Sequence, residues 1–407
     1  MVTQVGVGFS NVPNSEEAGR EAARAAMTHA GVSSCNLAIL FSTSKHDPAQ
    51  LRNGVRSVIG PASRLVGGYS IGIITRDKLG YDGYQVGVAV LSSDSIQVDM
   101  FLEKDLPDNE FNVGIALGKQ VGSRNYTGTP ALLLMYDSIK GKPPEGMAFN
   151  LNLATPLIEG MGVSLTTWPP AAGVGMIGDM QSNPTYQWFD DQIEQQSAIA
   201  LVLSGDIRLD PIIVHGCKPS GRYHTITKAE GNVVLEIDGK PAVDAIAQLL
   251  GPDSYKSWED YPIFVTLGVN KGNKFGEFRE EDYANRILMG IDKDRGGLIM
   301  FEPDLKPGAE FQLMRRSIDF GYIGERAKDL LDRVGDRHPF FALYINCAAR
   351  ASAYSGTERE EAEEVQKVIG SKMPLLGVYS GVEIAKVGED MQALDWTGVL
   401  CVFSQRG

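Results

Sequence analysis

The stretch FALYINCAAR, residues 341–350, begins as a buried β-strand and ends with polar side chains. Its first five residues are mostly large and apolar, whereas Asn346, Cys347 and Arg350 follow in its second half. In open α/β sheets, ligands bind at the carboxyl ends of the strands. The stretch therefore predicts either a strand that simply ends in solvent, or a cation and a thiol placed at a ligand site.

This strand opens a unit of strand, helix, glycine-rich strand and strand that occurs three times. The copies span residues 36–93, 130–209 and 340–404. A partial fourth copy is predicted at residues 261–303. This repetition predicts an α/β protein with mixed sheets, helices packed in layers, and two modules related by internal duplication.

The helices of the repeat carry recognisable end signals. The first, at residues 47–59, has Asp47 as its N-cap and Pro48 in its first turn. In the third, at residues 357–370, Thr357 is expected to cap the helix, Glu360 holds the capping-box position and Gly370 ends it. The glycine-rich strand of the third copy is PLLGVYSGVEI, at residues 374–384.

Composition excludes several classes of protein. The 407 residues include 38 basic and 51 acidic side chains, a net charge of −13, which argues against nucleic acid or anionic membranes as partners. The N-terminal sequence has no signal-peptide pattern, and no apolar stretch approaches the length of a membrane helix. We expect a cytoplasmic protein without membrane insertion, whose four widely spaced cysteines are reduced.

Several elements, in one order along the chain, resemble the FIST family, named for F-box and intracellular signal transduction proteins. The segment PIIVHGCKPSGRYHTITKAEGNVVLEIDGKPA, residues 211–242, is similar to that family's HG-x-x-P-x-G, T-x-A, G-N and D-G-x-P-A elements. NCAAR at 346–350 resembles its C-A-x-R element, and PLLGVYSGVEI resembles P-x-x-G-x-Y-x-x-x-E-I. The resemblance divides the chain into an N-terminal strand and helix (1–34), a FIST N-like module (35–220), a hinge (221–240) and a FIST C-like module (241–407).

The resemblance implies a sensory module that binds a small ligand, with amino acids or their derivatives suggested for the family. Relatives often carry attached output segments, and because no residues remain for one here, a downstream signalling protein would act in trans. The family also tends to have an Asn-x-Thr segment after its E-I element. In DWTGVL, residues 395–400, Trp396 stands where the Asn would fall.

Six residues are candidates for the ligand site: Arg350, Cys347, Tyr379, Ser380, Glu383 and His215. Arg350 is expected either to clamp a ligand carboxylate or to form a salt bridge with Glu358 or Glu361. Glu383 lies in an apolar strand and needs a partner, which could be Arg350 or a ligand ammonium.

Three other functions remain open at this stage. Cys347 beside Arg350 could have a lowered pKa and act as a nucleophile, although no enzyme motif accompanies it. His215 and Cys217 do not suffice for a metal site, and haem binding, known in some relatives, is a further alternative; no cofactor is predicted. A scaffold for protein partners is the third alternative. For the sensory hypothesis, the expected mechanism is closure of the two modules about residues 215–240.

Overall fold

The computed structural model describes residues 3–81, 83–143, 149–251, 265–317 and 319–406. The strands of the first half are β1 (Gln4–Ser10), β2 (Leu37–Ser42), β3 (Arg64–Tyr69), β4 (Ile73–Thr75), β5 (Leu79–Gly80), β6 (Val86–Ser92), β7 (Ile96–Glu103), β8 (Ala131–Asp137), β9 (Ile139–Gly141), β10 (Asn150–Leu151), β11 (Ala171–Met176), β12 (Gln187–Phe189), β13 (Gln192–Glu194), β14 (Ala198–Gly205) and β15 (Arg208–Val214).

The strands of the second half are β16 (Cys217–Glu230), β17 (Val233–Ile237), β18 (Lys240–Pro241), β19 (Thr266–Asn270), β20 (Tyr283–Asp292), β21 (Gly297–Met300), β22 (Glu310–Arg316), β23 (His338–Cys347), β24 (Leu375–Ser380), β25 (Val382–Val387), β26 (Asp390–Leu394) and β27 (Gly398–Gln405). The α-helices are α1 (Ser15–Ala30), α2 (Pro48–Ile59), α3 (Glu110–Gly122), α4 (Ala154–Ser164), α5 (Ala242–Leu250), α6 (Gly321–Val334), α7 (Ser352–Ser355) and α8 (Ala362–Val365). None of these helices is long and apolar enough to cross a membrane.

Three six-stranded sheets share one strand order, and each is built around one copy of the repeat. The order is β1-β6-β2-β3-β12-β13 in the first sheet, β7-β14-β8-β11-β25-β26 in the second, and β15-β27-β23-β24-β4-β5 in the third. The central pairs β2–β3, β8–β11 and β23–β24 are parallel. Antiparallel strands flank each of them, for example β6 beside β2, β14 beside β8 and β27 beside β23. The predicted α/β class with mixed sheets is therefore confirmed.

The last two strands of every sheet come from a different copy of the repeat. The first copy supplies the hairpin β4–β5 to the third sheet, the second supplies β12–β13 to the first, and the third supplies β25–β26 to the second. PLLGVYSGVEI is therefore two strands rather than the single one predicted, because the chain leaves the third sheet after Ser380 and enters the second at Val382. This cyclic exchange fixes the three sheets to one another through backbone hydrogen bonds.

A seven-stranded sheet is inserted between β15 and α6, ahead of the third copy. Its order is β16-β22-β19-β20-β21-β17-β18, and all its described pairs are antiparallel. The predicted fourth copy at 261–303 is wrong, because residues 265–303 form antiparallel strands of this sheet; residues 261–264 of that prediction lie outside the described residues.

The proposed hinge, residues 221–240, lies within the inserted sheet, and a paired strand precedes it along the chain. Residues 221–240 contribute to β16, β17 and β18. Immediately before it, β15 pairs with β27 from Arg208 to Val214. Rigid closure of the two modules about residues 215–240 would have to break the hydrogen bonds between paired strands such as β15 and β27, and those of the exchanged hairpins. This mechanism therefore does not fit the architecture.

The paired helices over the first two sheets cross closely at glycine. In the α1–α2 pair, a Cβ added to Gly54 would lie 2.0 Å from the Glu16 carbonyl oxygen. In the α3–α4 pair, a Cβ at Gly160 would lie 2.0 Å from the Phe111 carbonyl oxygen. Any side chain at either glycine would push the two helices apart. The predicted cap of α2 is confirmed, because Asp47 accepts from the Gln50 N–H at 2.8 Å.

The third helix begins later than predicted. Thr357 and Glu360 precede α8, which starts only at Ala362 and continues as a π-helical turn to Gly370. Glu360 does not complete a capping box, because its carboxylate accepts from the Ser352 N–H and the Tyr379 hydroxyl. The Glu360 side chain points into the protein toward these two donors, and its contacts with them prevail over the capping-box pattern of the local sequence.

Candidate functional site

A cavity of about 60 Å³ lies at the carboxyl ends of β23 and β24, where the third sheet meets the second sheet and the inserted sheet. It is lined by Phe149, Leu151, Ile177, Met180, Ile287, Phe301, Cys347, Ala348, Ala349, Ser380, Gly381 and Asp395. The strands β23 and β24 of the third copy thus end at a small cavity, at the place where α/β sheets bind ligands.

The cavity has an apolar wall and a polar end. The rings of Phe149 and Phe301 have their centroids 6.4 Å apart, and Ile177, Met180 and Ile287 extend the same apolar surface. The polar end consists of the Cys347 thiol, the Ser380 hydroxyl and the Asp395 carboxylate. The space suits a small molecule with one polar group and a short hydrocarbon part.

Ser380 connects the cavity to Glu383. Its Oγ lies 3.0 Å from the Asn346 carbonyl oxygen and 2.6 Å from Glu383 Oε1. Glu383 is fully buried, and its Oε2 has no hydrogen-bond partner among the described residues. Burial raises the pKa of Glu383 well above its ordinary value; the Ser380 hydrogen bond opposes this shift, and the Asp395 charge adds to it.

Asp395 is the acidic residue that lines the cavity directly. Its Oδ2 accepts from the Ile287 N–H at 3.0 Å, whereas Oδ1 finds no partner in the described part of the chain. The residue is 3% exposed, and burial raises the pKa of its carboxyl to about 6, against the opposing charge of Arg286. A buried oxygen without a partner is costly, so this one favours a ligand with a donor.

Cys347 lines the cavity as a thiol. Burial and the nearby Glu383 charge raise the pKa of this thiol well above its ordinary value. The lowering expected from Arg350 is present but smaller, so this environment does not favour the alternative of a reactive thiolate. Cys347 therefore contributes volume and a weak polar contact to the cavity.

Arg350 is buried and its donors are all used by the protein. Glu361 accepts from Nε and Nη2, the carbonyl oxygens of Val214 and Trp396 accept from Nη1 at 2.7 and 3.0 Å, and the Tyr322 hydroxyl accepts from Nη2 at 3.2 Å. Because a guanidinium has five N–H groups, none is left for a ligand. The carboxylate clamp does not fit this geometry, and the alternative predicted salt bridge with Glu361 is confirmed.

Tyr379 and His215 also lie outside the cavity lining. The Tyr379 hydroxyl donates to Glu360 at 2.8 Å. His215 is buried, its Nδ1 accepts from the Cys217 N–H at 2.9 Å and its Nε2 lies 3.1 Å from the Glu280 carbonyl oxygen. Burial lowers the pKa of His215, so its ring is neutral and both nitrogens are engaged. Of the six predicted residues, the structure brings together Cys347, Ser380 and Glu383.

A metal centre has no counterpart in the described ranges, where no three His, Cys, Asp or Glu side chains are grouped to hold an ion. A third buried acidic residue, Glu302, follows the lining residue Phe301. Glu302 accepts from the backbone N–H groups of Ala154 and Thr155 at the start of α4, at 3.0 and 2.8 Å. Burial raises the pKa of Glu302 to about 7, and this contact joins the inserted sheet to the second copy.

Sequence reasoning missed Asp395 and the apolar wall. Asp395 directly precedes Trp396, whose φ of 50° lies in the left-handed region. A bulky side chain such as Trp rarely adopts this conformation, so the surrounding structure holds the turn. The polar residues Asp395 and Thr397, between the apolar runs of β26 and β27, are the sequence signal that could have marked it. The wall comes from four separate segments, and no local pattern connects them.

Comparisons with known proteins agree with this architecture. The FIST N domain model matches residues 36–240, and the FIST C domain model matches residues 242–386. An uncharacterized protein of Mycobacterium bovis is 23% identical, over 98% of this chain and 98% of its own length. An uncharacterized protein of Methanocaldococcus jannaschii is 22% identical, over 79% of this chain and 67% of its own length.

A solved structure described as "cyanuic acid hydrolase from A. caulinodans" covers 50% of this chain and 71% of its own, with 11% identity and a TM-score of 0.28. So low a score supports no functional argument. The two domain models together span most of the chain, in the order expected from its motifs. The chain therefore belongs to the FIST family, as a protein with a FIST N domain followed by a FIST C domain.

Proposed function

We propose that this protein is a cytoplasmic sensor that binds a small metabolite in the cavity between its FIST N and FIST C domains. FIST domains are sensory domains of signal-transduction proteins. The observation that carries the proposal is the composition of the cavity. Residues of both domains line it, and its polar end holds a buried carboxylate oxygen without a partner in the described protein.

The geometry favours binding over catalysis. The Cys347 thiol has a raised pKa, and no histidine lines the described cavity to activate it. Ser380 lies beside the Glu383 carboxyl, whose pKa is also raised, so this carboxyl is a weak general base. All four cysteines are free thiols, which supports a reducing compartment such as the cytoplasm.

Because the domains share sheets, we propose that the ligand acts through the short connections around the cavity rather than through domain closure. The lining residues Cys347, Ala348 and Ala349 lead directly to Arg350, which holds Glu361 at the start of α8. A ligand that displaces this turn would change the position of the surface segment 351–361. A signalling partner supplied in trans could bind this segment.

The test is a thermal-shift screen of small metabolites on the wild type and on Ala349→Leu, a variant that fills the cavity. A true ligand at ~100 times its Kd adds about 2.7 kcal/mol to the stability of the state that binds it. We expect such a ligand to raise the wild-type Tm by several degrees and to leave Ala349→Leu unchanged.

The matched control is Ala353→Leu, the same change at an exposed position four residues later, which should respond like the wild type. The proposal fails if no metabolite raises the wild-type Tm. It also fails if the active compound shifts Ala349→Leu as much as it shifts the control.

A further inference from the structure

We propose that the ligand of this cavity is a small primary ammonium ion, held by Asp395 and bearing a short hydrocarbon chain. This inference rests on the proposed function and names the chemical class of its ligand. It departs from the carboxylate expected from sequence, because the residue that was to bind a carboxylate is fully engaged elsewhere.

The polar end of the cavity presents acceptors. Asp395 lines it and its buried Oδ1 accepts from no described residue, while Ser380, another lining residue, has its Oγ 2.6 Å from Glu383 Oε1. Glu383 Oε2 is a second buried oxygen without a hydrogen bond of normal geometry in the described protein, although the backbone of Thr397 acts on this carboxyl and lowers its pKa against the larger effect of burial. An ammonium group has three donors and no acceptor, which matches this arrangement. A ligand carboxylate would face the Asp395 carboxylate with like charge.

Neighbouring cations do not neutralise the two carboxylates through hydrogen bonds. Arg286 gives its donors to Asp304, to the carbonyl oxygens of Asn285 and Ala393, and weakly to Gln392. Arg350 is committed to Glu361. Within the described ranges, no Lys, Arg or His lines the cavity. A cationic ligand in the cavity would therefore find acceptor oxygens that receive no hydrogen bond from a charged side chain of the described protein.

Several charged or titratable groups act on the two carboxyls from the surrounding elements. Arg286 and Asp304 act on Asp395 from the inserted sheet, and Glu302 also interacts with it. Arg350, Cys347 and Tyr136 interact with Glu383. Burial and this acidic surrounding favour the protonated carboxyls without a cation, so binding an ammonium ion should ionise Asp395 and release a proton below pH 6.

The volume limits the size of the ligand. Since one water needs roughly 10–15 Å³ of such space, a cavity of about 60 Å³ accommodates on the order of four to six non-hydrogen atoms. The apolar wall of Phe149, Ile177 and Phe301 suits a hydrocarbon chain of about three carbons. n-Propylammonium is thus a suitable probe, with propionate and 1-propanol as probes of nearly the same shape.

The experiment measures binding of these three compounds by calorimetry at pH 7.5. We expect n-propylammonium to bind at least tenfold more tightly than either control. Asp395→Asn should weaken its binding at least tenfold. Asp137→Asn, which changes another buried carboxyl with a raised pKa outside the cavity lining, should leave the affinity unchanged. For the wild type, affinity should fall about tenfold from pH 7 to pH 5, because Asp395 must be ionised to bind.

The inference is overturned if propionate or 1-propanol binds as tightly as the amine, or if Asp137→Asn weakens binding as much as Asp395→Asn. It is also overturned if no binding of n-propylammonium is detected. The proposed sensor function would still stand after any of these results, provided that the metabolite screen finds a compound that raises the Tm of the wild type but not that of Ala349→Leu. The two proposals can therefore fail separately.

Discussion

Two buried charged groups, Arg350 and Asp395, lie close together in the fold and differ in how the protein satisfies their hydrogen bonds. Arg350 has a protein acceptor for every N–H of its guanidinium. Asp395 directly precedes Trp396, whose carbonyl oxygen accepts from Arg350. One carboxylate oxygen of Asp395 has no hydrogen-bond donor in the described structure. The first forms a structural ion pair, and the second is the binding group that we propose. Hydrogen-bond satisfaction, rather than burial or charge, separates the two roles.

The comparison predicts that removing Arg350 has the largest effect. Arg350→Ala would leave Glu361 buried and unpaired, together with two carbonyl oxygens, and should lower the free energy of unfolding by about 3–5 kcal/mol. Urea denaturation of the ligand-free protein measures this. Arg359→Ala, which removes an exposed ion pair, should cost less than about 1 kcal/mol and serves as the control. Equal effects of the two variants would remove the distinction drawn here.

Asp395→Asn should act in the opposite direction. The pKa of Asp395 in the folded protein is about 6, above the value of about 3.9 in an unfolded chain, so ionisation opposes folding at high pH. Removing that charge should stabilise the ligand-free protein at pH 8 by on the order of 1–3 kcal/mol. The gain should shrink to less than about 1 kcal/mol near pH 4, where the carboxyl is protonated in the folded protein and about half protonated in the unfolded chain.

Urea midpoints at pH 4 and pH 8 test this expectation, with the wild type measured in parallel. The wild type should itself lose stability from Asp395 as the pH rises between about 4 and 6. Destabilisation by Asp395→Asn at pH 8 would mean that the carboxylate is needed by the fold, as Arg350 is.

A smaller loss of stability is expected for a change at Tyr379, whose hydroxyl, like the Arg350 guanidinium, has a hydrogen-bond partner within the protein. Tyr379→Phe removes one buried hydrogen bond to Glu360, while the Ser352 N–H still donates to that carboxylate. The expected cost is about 1–2 kcal/mol in urea denaturation, with ligand affinity unchanged. A loss of ligand binding without a loss of stability would place Tyr379 in the site after all.

The smallest effect is expected in the chemistry of Cys347. Since burial keeps it as a thiol, iodoacetamide at pH 8 should leave Cys347 of the folded protein unmodified. Cys35, which is only partly buried, is the internal reference and should react first. Mass spectrometry of the digested protein gives both extents of labelling. Faster modification of Cys347 than of Cys35 would revive the nucleophile hypothesis.

The sequence predicted the elements that depend on local pattern. The apolar runs of β2, β8 and β23, the Asp47 cap and the family motifs all led to the α/β repeat and to the end of β23. The exchange of hairpins was not predictable, because β24 and β25 follow each other along the chain but pair in different sheets. Nor was the helix start at Ala362, which depends on long-range partners of Glu360 and Glu361.

For the candidate site, sequence adjacency led to Cys347, Ser380 and Glu383, which lie together in the fold, but misjudged Arg350. Its charge next to a strand end resembles a ligand contact, and only the fold reveals that Glu361 and two distant carbonyl oxygens occupy its donors. Asp395 escaped notice because its neighbours in the cavity, such as Phe149 and Ile177, are far away along the chain.

The most direct test of the distinction between a satisfied and an unsatisfied buried charge is the titration of the Asp395 carboxyl by ¹³C NMR, with and without n-propylammonium. Its resonance can be assigned by its loss in Asp395→Asn. We predict a pKa of about 6 in the ligand-free protein and a clearly lower value with saturating amine, because the ammonium stabilises the carboxylate. An unchanged titration in the presence of the amine would contradict the assignment of Asp395 as the ligand-binding group.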